Sequence, residues 1–433
     1  MSQPIGVGLI GAGTIGCGVA RILLERGELI SKRVGVPLEL KLVADVDWGR
    51  DRSFNVPESL RTTRADEVIN HPDVSVVVEL IGGIEPAKSL IIAALKRGKH
   101  VVTANKALLA EAGREILDVV MRDGADLGFE ASVAGGIPII LALREGLVAN
   151  RIVGMYGIIN GTANFILTKM EDEGLSFEDA LSQAQKLGYA EADPTLDVNG
   201  TDAAHKAVLL ASLAYGRLFQ LPDVYVEGIE GIDIRDIRYA QEMGYTVKLL
   251  AIIKGSEQEV EIRVHPALVP SDHTLSKVKG AFNAIYVEGD AVGPTMFYGK
   301  GAGEMPTASA VVSDIVSIAR NMLSGASRRV APFSYCSLTN GVEVKPMSQV
   351  ESRYYMRFSV LDKPGVLSSI AGILGNHGIS IESVIQKGHQ KRDSVPVVMM
   401  THGAMEAHVR RALEEIDKLP VVVHPTVVIR VEG

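Results

Sequence analysis

The sequence predicts an α/β protein in three parts: a doubly wound parallel sheet, an α+β region, and a C-terminal unit of the ferredoxin-like, split βαβ plan. Three observations carry this. IGVGLIGAGTIGCGVARILLERG at the N-terminus runs from an apolar strand through Gly11, Gly13 and Gly16 into an amphipathic helix, the order that a dinucleotide-binding βαβ unit requires. After LGFEASVAGGIPIILALREGL the strands and helices stop alternating regularly, which marks a separate α+β domain. Beyond residue 350 the pattern reads strand, helix, strand, strand, helix, strand, which is the split βαβ order.

The 433 residues are 47% hydrophobic and 22% charged, enough for two to three domains with real cores. A formal net charge of −8 without any block of basic residues speaks against nucleic acid or an anionic membrane surface as partner. MSQPIG leads straight into a strand without a leader pattern, and no apolar run reaches the roughly 18 residues of a membrane span. Two cysteines, Cys17 and Cys336, are too few for a disulfide framework or a thiolate metal site. A reduced, cytoplasmic protein is expected.

In the first part the glycines allow a tight turn and let the amides of the helix start meet a pyrophosphate, with Thr14 and Ile15 between Gly13 and Gly16. LELKLVADVD is the second strand, ending at Ala44, Asp45 and Asp47. An acid there accepts from a ribose 2′-hydroxyl and repels a 2′-phosphate, which leans towards NAD. Asp45 stands 34 positions beyond Gly11, against the usual ~20, and Arg50 could serve a phosphate, so NADP stays open. VSVVVELIGG and HVVTANK repeat the theme, with the helix PAKSLIIAALKRG between them, as in a parallel sheet.

Ligands in such sheets gather beyond the carboxyl ends of the strands, which places Thr103, Asn105 and Lys106 at the cofactor crevice. A surface lysine at a helix start fits Lys106 equally well. Further on, Gly135-Gly136-Ile137-Pro138 make an irregular turn whose carbonyls, joined by Glu130, either hold a cation or merely bend the chain. Composition favours the bend. YGKGAGEMPTASAVV sets Gly299, Gly301 and Gly303 before a helix with Pro306 in its first turn, a hinge or a second wall for the cofactor. The expected division is 1–133 for the cofactor domain, rejoined by about 304–325, then 134–303 for the α+β domain. A Ser/Pro linker at 326–350 and the split βαβ unit at 351–433, with nothing catalytic in it, follow.

GYAEADPTLDVNGTDAAHK, from Gly188 to Lys206, is the stretch with the densest chemistry. It gathers Glu191, Asp193, Asp197 and Asp202 around turn signals at Asp193-Pro194 and Asn199-Gly200, so Glu191 and Asp197 are expected on an ordered loop outside any helix. The run AAHKAVLLASLAY predicts a buried helix, and residues four apart on it, Asp202 and Lys206, can touch. A surface ion pair is the plainer reading. Against it, a lysine beside AVLLASLA is expected to be partly buried, with its pKa open to adjustment.

Taken together, GAGTIG, VVTANKAL, FEASVAGGIPII, NGTANFIL, GYAEADPTLDVNGTDAAHK and YGKGAGEMPT, in this order and spacing, resemble homoserine dehydrogenase, and DKPGVLSSIAGIL resembles the opening of an ACT ligand-binding domain. The resemblance covers nearly the whole chain. It implies a Rossmann-like cofactor domain and the reduction of L-aspartate 4-semialdehyde to L-homoserine with NAD(P)H, on the route to threonine, methionine and isoleucine. By the matching motifs, Lys206 would be the proton donor, Lys106 a second lysine at the reacting oxygen, and Glu191 and Asp202 the binders of the amino acid. Glu130, Val133, Gly135 and Ile137 would form a monovalent-cation loop, for Na+ by expectation, in place of a simple bend, and Gly303 would touch the cofactor. Many NADP-using members carry a basic residue immediately before the strand-end Asp, where this chain has Ala44, which implies NAD or dual use. The ACT resemblance implies a homodimer or homotetramer and an L-threonine effector near Asp362 to Leu367. A chain cut after about residue 345 is then expected to stay active and become indifferent to threonine.

The residues agree with that chemistry. An aldehyde reduction needs a hydride, which a cofactor brings, and a proton for the alkoxide, which an ammonium can supply. The substrate's own ammonium needs a carboxylate such as Glu191. Neither cysteine is placed as a nucleophile, which separates this reading from an oxidative, thiol-dependent enzyme on the same substrate. A regulator that binds NAD(H) and an amino acid without turnover is the alternative from another class.

Overall fold

The computed structural model describes residues 3–335, 341–386 and 394–432. Cys336 lies outside them. Six strands, β1 (Ile5–Ile10), β2 (Leu38–Ala44), β3 (Arg61–Thr62), β4 (Val74–Glu79), β5 (His100–Thr103) and β6 (Leu127–Gly128), form an all-parallel sheet of order β3-β2-β1-β4-β5-β6. They are near-continuous apolar runs because helices cover both faces and no edge of the run has to meet water. The order reverses on either side of β1, which puts the ligand crevice over the turns that follow β1, β4 and β5. Helix Glu304–Ser324 returns from far along the chain to pack on helix Thr14–Glu25. The approach is close enough that a Cβ on Gly18 would stand 2.9 Å from that of Ala308.

The second sheet is mixed. Its first members are β7 (Ile152–Ile158), β8 (Tyr225–Val226), β9 (Tyr245–Gly255), β10 (Glu259–Pro270), β11 (Phe282–Gly289) and β12 (Gly293–Lys300). The next are β13 (Glu343–Val344), β14 (Glu351–Val360), β15 (Ile381–Gln386), β16 (Val395–Thr401), β17 (Ala404–Met405) and β18 (Val422–Val431). Within the C-terminal unit β18-β14-β16-β15 is the ferredoxin-like order,. Its last strand does not end there. β18 pairs in parallel with β10, Ala267 opposite Arg430 and Leu268 opposite Val431, so one sheet runs through both domains.

Consequently the C-terminal unit is joined to the rest by strand pairing as well as by the chain. β13 pairs along β10, and Phe333 is buried with its ring 5.1 Å from that of Phe129. Charge crosses the junction as well: Arg357 donates to both oxygens of the fully buried Asp236 at 2.6 and 2.9 Å, Tyr355 donates to it at 2.8 Å, and Arg263 reaches Glu432 at 2.8 Å. Such pairs contribute little net stability when complete but are costly to halve, because the remaining charge stays buried. A cut after residue 345 would take Arg357 and Tyr355 from Asp236, while Arg263 would lose Glu432 and keep Glu261 at 3.0 Å. Among the described residues no helix is long and apolar enough to cross a membrane.

Candidate active site

The turn after β1 is built by glycine where only glycine fits. Gly11 has φ +107, and a Cβ on Gly16 would stand 2.0 Å from the Gly11 carbonyl oxygen. Around Gly13, by contrast, a Cβ would meet nothing within 4 Å. That open space lies at the N-cap of helix Thr14–Glu25, where no side chain caps the free amides of Thr14, Ile15 and their neighbours, and it suits the pyrophosphate of a dinucleotide. Gly16→Ala is expected to raise the Kd for NAD(P)H roughly tenfold or more by pushing the turn off the phosphate. Fluorescence titration would read the loss, with far-UV circular dichroism showing an unchanged fold.

At the end of β2, Asp45 accepts from the Ala12 amide at 2.8 Å and from the Asp47 amide at 3.0 Å. This ties the acid to the glycine turn. Arg50, named from the sequence, is largely exposed and paired with Asp47 at 2.8 Å. Arg52 holds the inner position: it lies 3.2 Å from Asp45, donates to the Ala12 carbonyl at 3.0 Å, and sits 4.7 Å over the Trp48 ring. Arg52 went unremarked in the sequence, where the RDR triplet offers only the hint of a second arginine.

Beyond β4 and β5 the crevice floor is polar. Glu79, fully buried, accepts from the Thr103 hydroxyl at 2.6 Å and from the Ile81 and Gly82 amides at 2.9 and 3.1 Å. Asn105 caps helix Lys106–Asp123 by accepting from Leu108 N at 3.1 Å and donates to the Gly83 carbonyl at 2.6 Å. The two strand-end turns are thereby locked together, and Lys106 begins its helix at their rim. Glu79 was missed because a single acid closing an apolar strand reads as a boundary.

Lys206 faces Lys106 across one carboxylate. Helix Thr201–Tyr215 is buried along most of its length, and the Lys206 side chain keeps only 11% of its surface exposed. Its ammonium donates to Asp202 Oδ2 at 2.6 Å and to the Ile159 carbonyl at 2.7 Å, while Lys106 Nζ lies 3.1 Å from Asp202 Oδ1. Asn160, the cap of helix Gly161–Glu173, donates to Asp202 at 2.9 Å and to Asp197 at 2.7 Å.

The environment sorts these groups. Burial alone would raise the Asp202 carboxyl, but Lys206 and Lys106 outweigh it and hold it well below the usual range,. For Lys206, burial lowers the ammonium below its ordinary value, with the Lys106 charge adding to this and Asp202 opposing it. Burial, reinforced by Asp202, raises Asp197.

One expectation about the acidic stretch needs amendment, and the other, Glu191 on a loop, stands. Asp197 lies inside a one-turn helix, Thr195–Val198, because the Asp193 side chain accepts from the Thr195 amide at 3.1 Å and starts the turn at Pro194. Glu191 is exposed on the preceding loop, away from the lysine pair's hydrogen bonds.

Glu130 and the 133–137 turn form a second cluster. Ala134 and Gly135 both have positive φ, 52 and 46, and a Cβ on Gly135 would lie 2.5 Å from the Gly301 carbonyl oxygen. Glu130 accepts from the Ile140 and Leu141 amides at 2.9 and 2.7 Å, and burial raises its carboxyl. Burial and the neighbouring Glu130 push Asp314 up to about 8. Gly303, φ +119, caps helix Glu304–Ser324 beside this turn and contributes no side chain.

The chain matches the family model for homoserine dehydrogenase over residues 138–316, that for the homoserine dehydrogenase NAD binding domain over 11–130, and that for the ACT domain over 354–421. It is 43% identical over 432 residues to homoserine dehydrogenase of Neisseria gonorrhoeae, covering 100% of this chain and 99% of that one. The same enzyme of Bacillus subtilis is 43% identical over 434 residues, with 100% and 99% covered. Among solved structures, a homoserine dehydrogenase from Thiobacillus denitrificans superposes with a TM-score of 0.93 at 44% identity, covering 100% of this chain and 99% of that one. A hyperthermophilic archaeal homoserine dehydrogenase in complex with NADPH gives 0.62 at 28% identity over 78% of this chain and 100% of that one.

Proposed function

Because the chain belongs to the homoserine dehydrogenase family of NAD(P)-dependent oxidoreductases, we propose that it reduces L-aspartate 4-semialdehyde reversibly to L-homoserine at the Lys206–Asp202–Lys106 site. One observation carries the assignment of residues: a single buried carboxylate holds two ammonium groups at 2.6 and 3.1 Å beside the crevice of the parallel sheet. The nicotinamide, when bound, supplies the hydride. Lys206 donates the proton that the forming alkoxide needs, since a lysine lowered by burial releases its proton more readily than an exposed one. Lys106 shares the developing charge on that oxygen, and Asp202 orients both. Glu191 and Asp202 are the proposed contacts of the substrate's ammonium group.

Gly11, Gly13, Thr14, Ile15, Gly16, Ala44, Asp45, Arg50, Thr103, Lys106 and Gly303 are the proposed cofactor-binding set, and Arg52 joins it on its position. Asp45 favours NAD, while Arg52 is a cation that could leave Asp45 for a 2′-phosphate, so use of both cofactors is proposed. Glu130 with the carbonyls of Val133, Gly135 and Ile137 is the proposed loop for a monovalent cation, Na+ by preference. What supports it is geometry: Glu130 is buried beside the positive-φ turn at Ala134 and Gly135, and Asp314 accepts from its backbone amide at 2.8 Å. A bound cation would supply a fixed charge that keeps the turn in place. Residues 351–433 are the proposed regulatory domain, answering to L-threonine as end product of a pathway to threonine, methionine and isoleucine, in a cytoplasmic homodimer or homotetramer. The Asp362–Leu367 turn that would receive threonine is mostly exposed.

The test is steady-state oxidation of NADH and of NADPH with aspartate semialdehyde. Turnover with both is expected, with kcat/KM for NADH at least equal to that for NADPH. Failure of both cofactors sinks the reaction. Calorimetry and rates at millimolar threonine test the effector, and no binding with no change of rate would remove it.

A further inference from the structure

We infer that Glu227 and Arg430 are positioning residues for the lysine–carboxylate site, the last strand of the C-terminal domain holding through one ion pair the segment against which the acidic loop is built. The inference rests on the reaction proposed above and adds a role that lies outside its catalytic set. Arg430 on β18 is among the largest fully buried side chains. It donates to Glu406 at 2.6 and 2.9 Å within its own domain and to Glu227 Oε2 at 2.9 Å in the other. Its guanidinium lies 5.1 Å over the Tyr225 ring, and the Tyr225 hydroxyl donates to the same Glu227 oxygen at 2.9 Å. Arg410, on the helix that Glu406 begins, donates to that hydroxyl at 3.0 Å.

From Glu227 the link to the site is backbone against backbone. The Glu227 amide donates to the Val264 carbonyl of β10 at 2.8 Å, and the Ile229 amide donates to the Val198 carbonyl at 2.8 Å. Between them Gly228 leaves no gap, since a Cβ there would stand 2.3 Å from the Val198 oxygen and 2.6 Å from the Asn199 Cα. Gly200, φ +87, turns against the same wall, with a Cβ 3.1 Å from Val226 Cγ1 and 3.4 Å from the Glu227 oxygen. Residues 197–202, which carry Asp197 and Asp202, are thus cast against 225–229. Side-chain slack cannot absorb a shift of that wall, because closely packed interiors move as units.

Of the other charged contacts across the junction, Arg263 with Glu432 lies on β10 itself, while Asp236 with Arg357 and Tyr355 lies farther from the acidic loop. Asp236 sits on helix Ile234–Glu242, which makes no hydrogen bond to residues 197–202 among the described residues. It joins the domains with no direct hydrogen bond to the acidic loop among the described residues, and so provides the control.

The test uses the full-length enzyme. Glu227 is 38% exposed at its side chain, so Glu227→Gln should fold. It is expected to lower kcat with aspartate semialdehyde roughly 3- to 20-fold, the size seen when coupling contacts are removed, while KM for NADH stays within about twofold. Arg430→Lys should do the same, and the double variant should be no worse than the worse single one, because either single change already breaks the Glu227–Arg430 pair. Tyr355→Phe should lower Tm and keep kcat within about twofold. If Arg430→Lys does not fold, Tyr225→Phe takes its place in the cycle. The inference is overturned if Glu227→Gln lowers Tm yet keeps kcat, if the two losses add, or if Tyr355→Phe costs as much activity for the same loss of Tm. Wild-type enzyme run beside them separates the two readings: an inactive wild type sinks the reaction, and an active one with a fully active Glu227→Gln sinks the positioning role.

Discussion

Lys206→Ala is expected to keep nicotinamide binding and lose kcat by roughly 10²-fold or more, the loss that follows removal of a positioned acid. The position makes the case. Lys206 stands on a mostly apolar, buried helix, anchored by the Ile159 carbonyl and by Asp202. Its nitrogen is therefore held where a flexible surface lysine would wander, and alanine leaves nothing to replace the proton. Most of the proposed cofactor contacts lie at the glycine turn and the ends of β2 and β5, so the Kd for NADH should change little. The measurements are kcat in both directions and NADH titration of the variant. Near-normal kcat in a correctly folded variant would show that Lys106 or solvent donates the proton.

Asp202→Asn is expected to lower kcat roughly 10- to 100-fold, raise KM for aspartate semialdehyde, and move the pH dependence in a defined direction. In the proposed role Lys206 donates as an ammonium, so reduction should be fast below its pKa and decline as the pH rises through it. Asp202 is the largest influence opposing the effect of burial on Lys206. Without that negative charge the ammonium is lost at a lower pH, and the alkaline limb of kcat for reduction should shift downwards. Two ammonium groups would also be left facing each other. The stability loss should be about 3 kcal/mol, the low end for a broken buried pair because Lys106 keeps part of its hydration. Stopped-flow rates from pH 6 to pH 10 and urea unfolding would check both. A limb that stays in place would show that Lys206 is not the group titrating.

The amino-acid sequence by itself determined the local pieces. GAGTIG between a strand and a helix, the apolar runs of β1, β4 and β5, and the strand and helix order beyond residue 350 are short-range patterns whose physics is complete within a few residues. The i, i+4 contact of Asp202 with Lys206 was legible for the same reason. So was the placing of Lys106 at a strand end, although a sequence cannot say what faces it.

Only the tertiary structure decided which distant groups meet. Lys106 and Lys206 share a carboxylate because helix Lys106–Asp123 packs on helix Thr201–Tyr215. Arg52, and not Arg50, reaches Asp45 because the chain after β2 folds back under the glycine turn. The apparent linker became part of the molecule because β13 and β18 both pair with β10. Strand pairing between domains and the partners of a buried charge depend on how whole elements pack, and that is settled by burial summed over the fold, which no local pattern of residues contains.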